Sequence, residues 1–262
     1  MALDWMNSLA GLLVGLVVGV TGVGGGALMT PILVLVFGVS PQTAVGTDLL
    51  YASITKMFGV GVHHNHGTVD WQVVKRLAWG SLPAAALTLA WMSFSGANRV
   101  KSGLIIDMVG VMLIVTALGI LFKDQLQGLG RKIRVTNSDQ FKHVQPVLTV
   151  LGGVVLGVLV TLTSIGAGAL GTVMLVYLYP LRLTPSKLVG TDLAHAIPLA
   201  MIAGLGHLTM GNVDYALLLS LLVGSIPGVL IGAVISTRAP LALIRYAIAI
   251  VLGAVAVKML MM

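Results

Sequence analysis

The chain has 262 residues, of which 57% are hydrophobic and only 9% charged, and its mean hydropathy is +1.04. A soluble domain of this size does not carry such a composition, and the long apolar stretches lack the alternation of a β-barrel, so the chain reads as an all-α polytopic membrane protein. With no cysteine, disulfides and thiolate metal sites are excluded, and the net charge of +7 is assigned to cytoplasmic loops rather than to nucleic acid.

In chain order, Met1 to Asn7 carries Asp4 and no basic residue, so the charged region of a cleaved signal peptide is missing and the first apolar segment is expected to remain. Residues 9 to 37 hold no charge and are interrupted by Gly22-Val-Gly-Gly-Gly-Ala-Leu28. Glycines this dense weaken a helix by about 1 kcal/mol each relative to alanine, which predicts two half-helices of about 12 residues meeting at a break. Further apolar segments follow near 42 to 62, 72 to 95 and 100 to 122, with the polar stretch His63 to Trp71 between the first two. Residues 123 to 146 form a long basic linker. Residues 147 to 179 are again uncharged, and Ser164-Ile-Gly-Ala-Gly-Ala-Leu170 interrupts them.

After the linker the pattern restarts. Gly46-Thr-Asp-Leu49 recurs as Gly190-Thr-Asp-Leu193, 144 residues later, and Gly80-Ser-Leu-Pro83 as Gly224-Ser-Ile-Pro227. At the same offset Gly67-Thr-Val-Asp-Trp71 matches Gly211-Asn-Val-Asp-Tyr215 and His63 matches His207, while the glycine breaks align at an offset of 142. The expected organisation is one integral membrane domain, with a first repeat over 1–122, a cytoplasmic linker over 123–146 and a second repeat over 147–262. Each repeat has a glycine-broken first helix, re-entrant or discontinuous, plus three transmembrane helices.

Basic residues choose between those two forms. If each broken run crossed the membrane once, they would divide eight against six. If each returns to the side it entered from, eleven fall on the linker side (Lys75, Arg76, Lys123, Arg131, Lys132, Arg134, Lys142, Arg182, Lys187, Arg238, Arg245) against Arg99, Lys101 and Lys258. The second division obeys the positive-inside rule, makes the repeats inverted and puts the linker in the cytoplasm.

The Gly22 to Leu28 break followed by Pro31, the stretch from Ser40-Pro41 to Gly46-Thr47-Asp48, the Gly67 to Asp70 loop, the basic linker and the second-half echoes together resemble the sulfite exporter TauE/SafE family, also called the toluene sulfonate uptake permeases. The resemblance covers essentially the whole chain. It implies a multi-pass permease of the bacterial inner membrane that moves small sulfur anions such as sulfite or organosulfonates, without cofactors.

Several residues are candidates for that chemistry. Gly24, Gly25, Gly26, Gly166 and Gly168 would let backbone N–H groups and half-helix dipoles approach an oxyanion, or would only permit close helix crossings. Thr47-Asp48 and Thr191-Asp192 lie a few residues inside apolar segments. There the threonines would bind substrate and the carboxyls would carry a coupling proton, or each pair would cap a helix. Lys56, replaced by Ala200 in the second copy, would attract the anion or snorkel to the interface. Asp107 reads as a partner for a nearby base, the tryptophans as interface anchors and the methionines as packing. His63 and His207 are candidate gating or loop residues.

His63, His64 and His66 support an alternative, a divalent metal permease that would also use the embedded aspartates, although the set is incomplete as a metal site. An enzyme is not expected, since Gly-x-Ser-x-Gly and His-Glu-x-x-His are absent, as is a nucleotide-binding Gly-x-x-x-x-Gly-Lys loop. The expected partners are the bilayer, a small anion and a second copy in a homodimer.

Overall fold

The computed structural model describes residues 4–21, 26–63, 69–94, 102–136, 138–236 and 241–261. Over these the chain forms eleven helices: α1 Trp5–Thr21, α2 Gly26–Leu35, α3 Pro41–His63, α4 Trp71–Phe94, α5 Ser102–Leu121, α6 Lys123–Thr136, α7 Ser138–Thr163, α8 Ala169–Leu178, α9 Pro185–Thr209, α10 Tyr215–Ser236 and α11 Leu241–Leu260. Five segments among them are long and apolar enough to cross a bilayer: Trp71–Phe94, Gly103–Leu121, Phe141–Thr163, Pro185–Thr209 and Tyr215–Ile235. Apolar side chains such as Trp79, Leu87, Phe94 and Ile250 stay exposed on the outside of the bundle, as lipid-facing residues do.

The two halves interlock. Helix α1 packs along α10, α4 along α7, α3 crosses α9 and α5 lies against α11. Small residues make the first two contacts possible. Gly11, Gly15 and Gly19 of α1 sit on the backbone of Leu221, Ser225 and Val229, while Gly224, Gly228 and Gly232 of α10 sit on Ser8, Leu12 and Leu16. A four-residue glycine spacing on both partners lets the two backbones touch, which replaces the hydrophobic driving force that lipid cannot supply. The α4·α7 pair repeats the device with Gly80 on Val150, and Gly153 and Gly157 on Leu77 and Ser81.

These registers fix directions. Contacts along α1 and α10 rise together, so the two run parallel, and so do α4 and α7. Thr47 and Thr55 of α3 meet Asp214 and Ser225, which makes α3 parallel to α10 and hence to α1. The short α2 therefore carries the chain back between two helices that run the same way. In the second half, the end of α7 and the end of α9 meet where His207 Nε2 donates to Thr161 O at 2.9 Å, and α8 returns to the start of α7, where Gln145 Nε2 donates to Leu178 O. Helices α3 and α9 cross antiparallel, with Leu50 against Gly204 and the Ser53 hydroxyl donating to Ile197 O at 3.3 Å. Ser53 and Ile197 are equivalent positions at the 144-residue offset.

Two features differ from the sequence expectation. The broken runs are not pairs of equal half-helices. Helix α1 has 17 residues and α7 has 26, against 10 each for α2 and α8. Gly153 and Gly157 are absorbed into the α7 contact with α4, Gly152 lies against Met174 of α8, and all three leave α7 intact, so the break falls only at Ser164. The polar linker is also helical. Helix α6 is amphipathic, and its Gly130 and Ile133 rest on α8 and its surroundings.

Polar staples close the loops of one half onto the other. The N–H of Asp70 donates to Thr191 Oγ1 at 3.0 Å, and the N–H of Asp214 donates to Thr47 Oγ1 at 3.1 Å. Asp70 also takes a two-point contact from Arg182, Nε to Oδ2 at 2.6 Å and Nη2 to Oδ1 at 2.8 Å. Partial burial pushes the Asp70 carboxyl up, but the Arg182 guanidinium and the Val73 N–H outweigh it and hold the group below its ordinary value.

Gly15→Leu meets backbone rather than a side chain that can swing away, so it costs about 1–3 kcal/mol or more in thermal unfolding of the detergent-purified protein. Gly253→Ala, with open space around it, leaves stability unchanged or raises it by up to about 1 kcal/mol. Asp70→Asn lowers stability at neutral pH by about 1 kcal/mol or less, because Arg182 is partly exposed. Since the folded carboxyl is the stronger acid, that difference is present above the ordinary carboxylate value of about 3.9. It shrinks as pH falls through the lower folded value, which paired melts at successive pH values will read.

Candidate functional site

The α7–α8 connection crosses the interior as irregular chain. Ser164 has φ 59°, Gly166 φ 123° and Gly168 φ 131°, and all three are buried. Backbone inside a membrane protein needs partners for its N–H and C=O groups. Gly171 N–H donates to Gly166 O and Thr172 N–H to Gly168 O, each at 3.0 Å, which starts α8. The carbonyl of Ala167 is taken by a side chain from the other half: Lys56 Nζ donates to it at 2.8 Å.

Lys56 is 2% exposed and is the only basic residue that the loop assignment above leaves in the interior. Asp48 and Asp192, both at most 1% exposed, lie within its electrostatic reach. Their surroundings differ. Thr30 donates to Asp48 Oδ2 at 2.5 Å, whereas its counterpart Thr172 turns to Gly168 O. Among the described residues, Asp48 Oδ1, both Asp192 oxygens and Ser164 Oγ have no hydrogen-bond partner. The Ser164 hydroxyl faces Asp48 without closing a bond. Gly171 leaves the space beside Asp192 Oδ1 that any side chain would fill. The break thus holds one ammonium, two carboxyls and hydroxyls with spare capacity, an unusual concentration of polar groups at membrane depth.

The flanking positions extend the cluster unequally. On α3, Thr55 shares a 2.8 Å hydrogen bond with Ser225, and Tyr51 lies beside both. On α9 the position matching Tyr51 is His195, whose Nε2 shares a 2.7 Å bond with Ser81 Oγ, while Leu199 and Ala200 stand where α3 has Thr55 and Lys56.

Of the residues singled out in the sequence, Asp48, Lys56, Gly166, Gly168 and Asp192 gather at this break. Gly26 begins α2, and Gly24 and Gly25 lie outside the described residues. Thr47 and Thr191 are buried, and each hydroxyl accepts a backbone N–H at the loop contacts described above. His207 is buried at the end of α9, bonded to Thr161 O. His63 ends α3, and His64 and His66 lie outside the described residues. Thr30, Thr172, Ser164, Ser81 and His195 were missed as site residues. Thr30 and Thr172 repeat at the 142-residue offset of the breaks and could have been found by carrying that register two residues further.

Because Gly168 holds a backbone conformation that side chains resist, Gly168→Ala costs about 1–3 kcal/mol, whereas Gly103→Ala, with nothing near it, does not destabilise. Thermal unfolding of the two variants checks the difference.

A family model described as "Sulfite exporter TauE/SafE" matches residues 8–259. The chain is 43% identical over 251 residues to the "Probable membrane transporter protein YjnA" of Bacillus subtilis, covering 94% of this chain and 96% of that one. It is 30% identical to YdhB of the same organism, another probable membrane transporter protein, over 90% and 91% of the two chains. MJ0441 of Methanocaldococcus jannaschii, also named a probable membrane transporter protein, is 26% identical over 79% of this chain and 73% of its own. No solved structure matches. With a family match spanning nearly all its length and relatives aligned end to end, the chain belongs to the sulfite exporter TauE/SafE family of membrane transporters.

Proposed function

We propose that the protein is a secondary transporter for a small sulfur oxyanion, sulfite or an organosulfonate, built from two inverted repeats that rock about the Lys56 break. The inverted reading is supported by α3 and α9 crossing antiparallel while α1 runs with α3 and α7 with α9. The observation that carries the transport reading is the Lys56 ammonium, buried in the bundle and bonded, among the described residues, only to a carbonyl of the broken segment. A carbonyl is a weak partner for a buried cation, and an oxyanion is a better one. The N-terminus of α8 adds its dipole beside Ser164 and Gly168.

Two carboxylates near the same ammonium oppose an anion unless they carry protons. Anion and proton binding are therefore coupled, and by reciprocity each raises the affinity for the other. In this mechanism Asp48 and Asp192 take up protons as the anion arrives, the neutralised site turns to the opposite side, and the three leave together.

Thermal stabilisation of the detergent-purified protein by sulfite, organosulfonates, carboxylates and divalent metals, measured at several pH values, tests this. A sulfur oxyanion stabilises the wild type, more strongly at lower pH. Lys56→Met weakens that binding by about thirtyfold or more, in line with the 2 kcal/mol or more lost with one partner of a buried charge contact. Asp192→Asn keeps the anion response but flattens its pH dependence. Stabilisation by a divalent metal instead, or an anion response unchanged in Lys56→Met, overturns the proposal.

A further inference from the structure

A second polar cavity lies away from the break, on the side where the linker and most of the basic residues sit. It has a volume of about 240 Å³ and is lined by Arg134 of α6, Gln145 of α7 and Tyr179 to Arg182 in the turn after α8. That is room for about eight waters at liquid density, enough for a phosphate group and its ester.

Its two guanidinium groups are held in place without being used up. Arg134 stacks over the Phe141 ring at 5.5 Å, and its Nη1 is buried with no hydrogen-bond partner among the described residues. Arg182 lies over Tyr179 at 5.9 Å and is tied to Asp70 and Gln72. A third, Arg76, reaches the Tyr179 hydroxyl at 3.3 Å. Asp70 is committed to Arg182, which leaves the pocket with an excess of positive charge and one orphaned donor. A buried donor without an acceptor is costly, and an anionic oxygen is the acceptor that suits it.

Leu181, which lines the cavity, is an exposed apolar side chain, and so are Val135 and Leu129 on the helix that supplies Arg134. A water-soluble anion has no use for them, whereas acyl chains do. Basic pockets on the cytoplasmic side of helix bundles have this combination when they hold anionic headgroups.

We propose that this cavity binds the phosphodiester headgroup of an anionic phospholipid, with Arg134 and Arg182 on the phosphate and the acyl chains along Leu129, Val135 and Leu181. The site lies at the end of α8 opposite the break: Gln145 at the cavity accepts the role of holding Leu178 O, the last carbonyl of that helix. A bound headgroup would clamp the far end of the helix whose start forms the candidate transport site, about 15 Å away at the helical rise. The inference does not depend on which substrate is carried.

Native mass spectrometry of the full-length protein in detergent, titrated with phosphatidylglycerol, phosphatidylcholine or inorganic phosphate, tests it. Phosphatidylglycerol is retained at least tenfold more tightly than phosphatidylcholine, and Arg134→Gln removes that preference. Leu181→Glu, at an exposed position that does not bear on folding, places a carboxylate at the mouth and also weakens retention tenfold or more. Equal retention of the two lipids, or unchanged preference in both variants, overturns the proposal. So does inorganic phosphate displacing phosphatidylglycerol at millimolar concentration, which would mark a site for a free oxyanion.

Discussion

The hydrogen bond from Lys56 to the carbonyl of Ala167 joins the two facts that make this protein unusual, a broken helix and a buried charge. Neither is tolerable alone in a membrane. An irregular backbone needs partners that lipid cannot provide, and a lysine in the bundle needs an acceptor. The contact satisfies both at once, and it spans the halves, since Lys56 belongs to α3 and Ala167 to the segment between α7 and α8. Carboxyls, hydroxyls and an imidazole are gathered around this contact.

Such a site requires close helices, and the glycine stripes of α1, α10, α4 and α7 bring them close. With backbones in contact at Gly11, Gly15 and Gly19, the outer pairs act as rigid walls, and α3 and α9 cross between them. The same residue type serves two opposite ends. At fourfold spacing on a helix it tightens packing; at Gly166 and Gly168, with φ 123° and 131°, it ends the helix.

Much of this was legible in the sequence because duplication makes a signal visible twice. The echo of Gly46 to Leu49 at Gly190 to Leu193 and the paired glycine runs located α3, α9 and the two interrupted apolar runs. Lys56 stood out as the position where the echo fails. What remained hidden depends on distance in space. A glycine that breaks a helix and one that packs it look alike until the partner is known, so the unequal lengths of α7 and α8 were not foreseen. Helix α6 was hidden by its charge, because its apolar stripe matters only against α8. His195 was passed over because its partner Ser81 lies 114 residues away, and nothing in either local stretch marks them as a pair.

The interlocked arrangement also bears on how the chain is made. Helix α1 is synthesised well before the helix that covers its glycine face, since α10 ends more than 200 residues later. At 5–20 residues per second the ribosome needs roughly 10–40 s to supply it. For that interval the stripe of Gly11, Gly15 and Gly19 faces lipid or the insertion machinery with its backbone uncovered, and α7 closes on α4 long before α1 finds its mate. The glycine face made early is thus covered late, and a newly made chain truncated before α10 would leave that face without its partner.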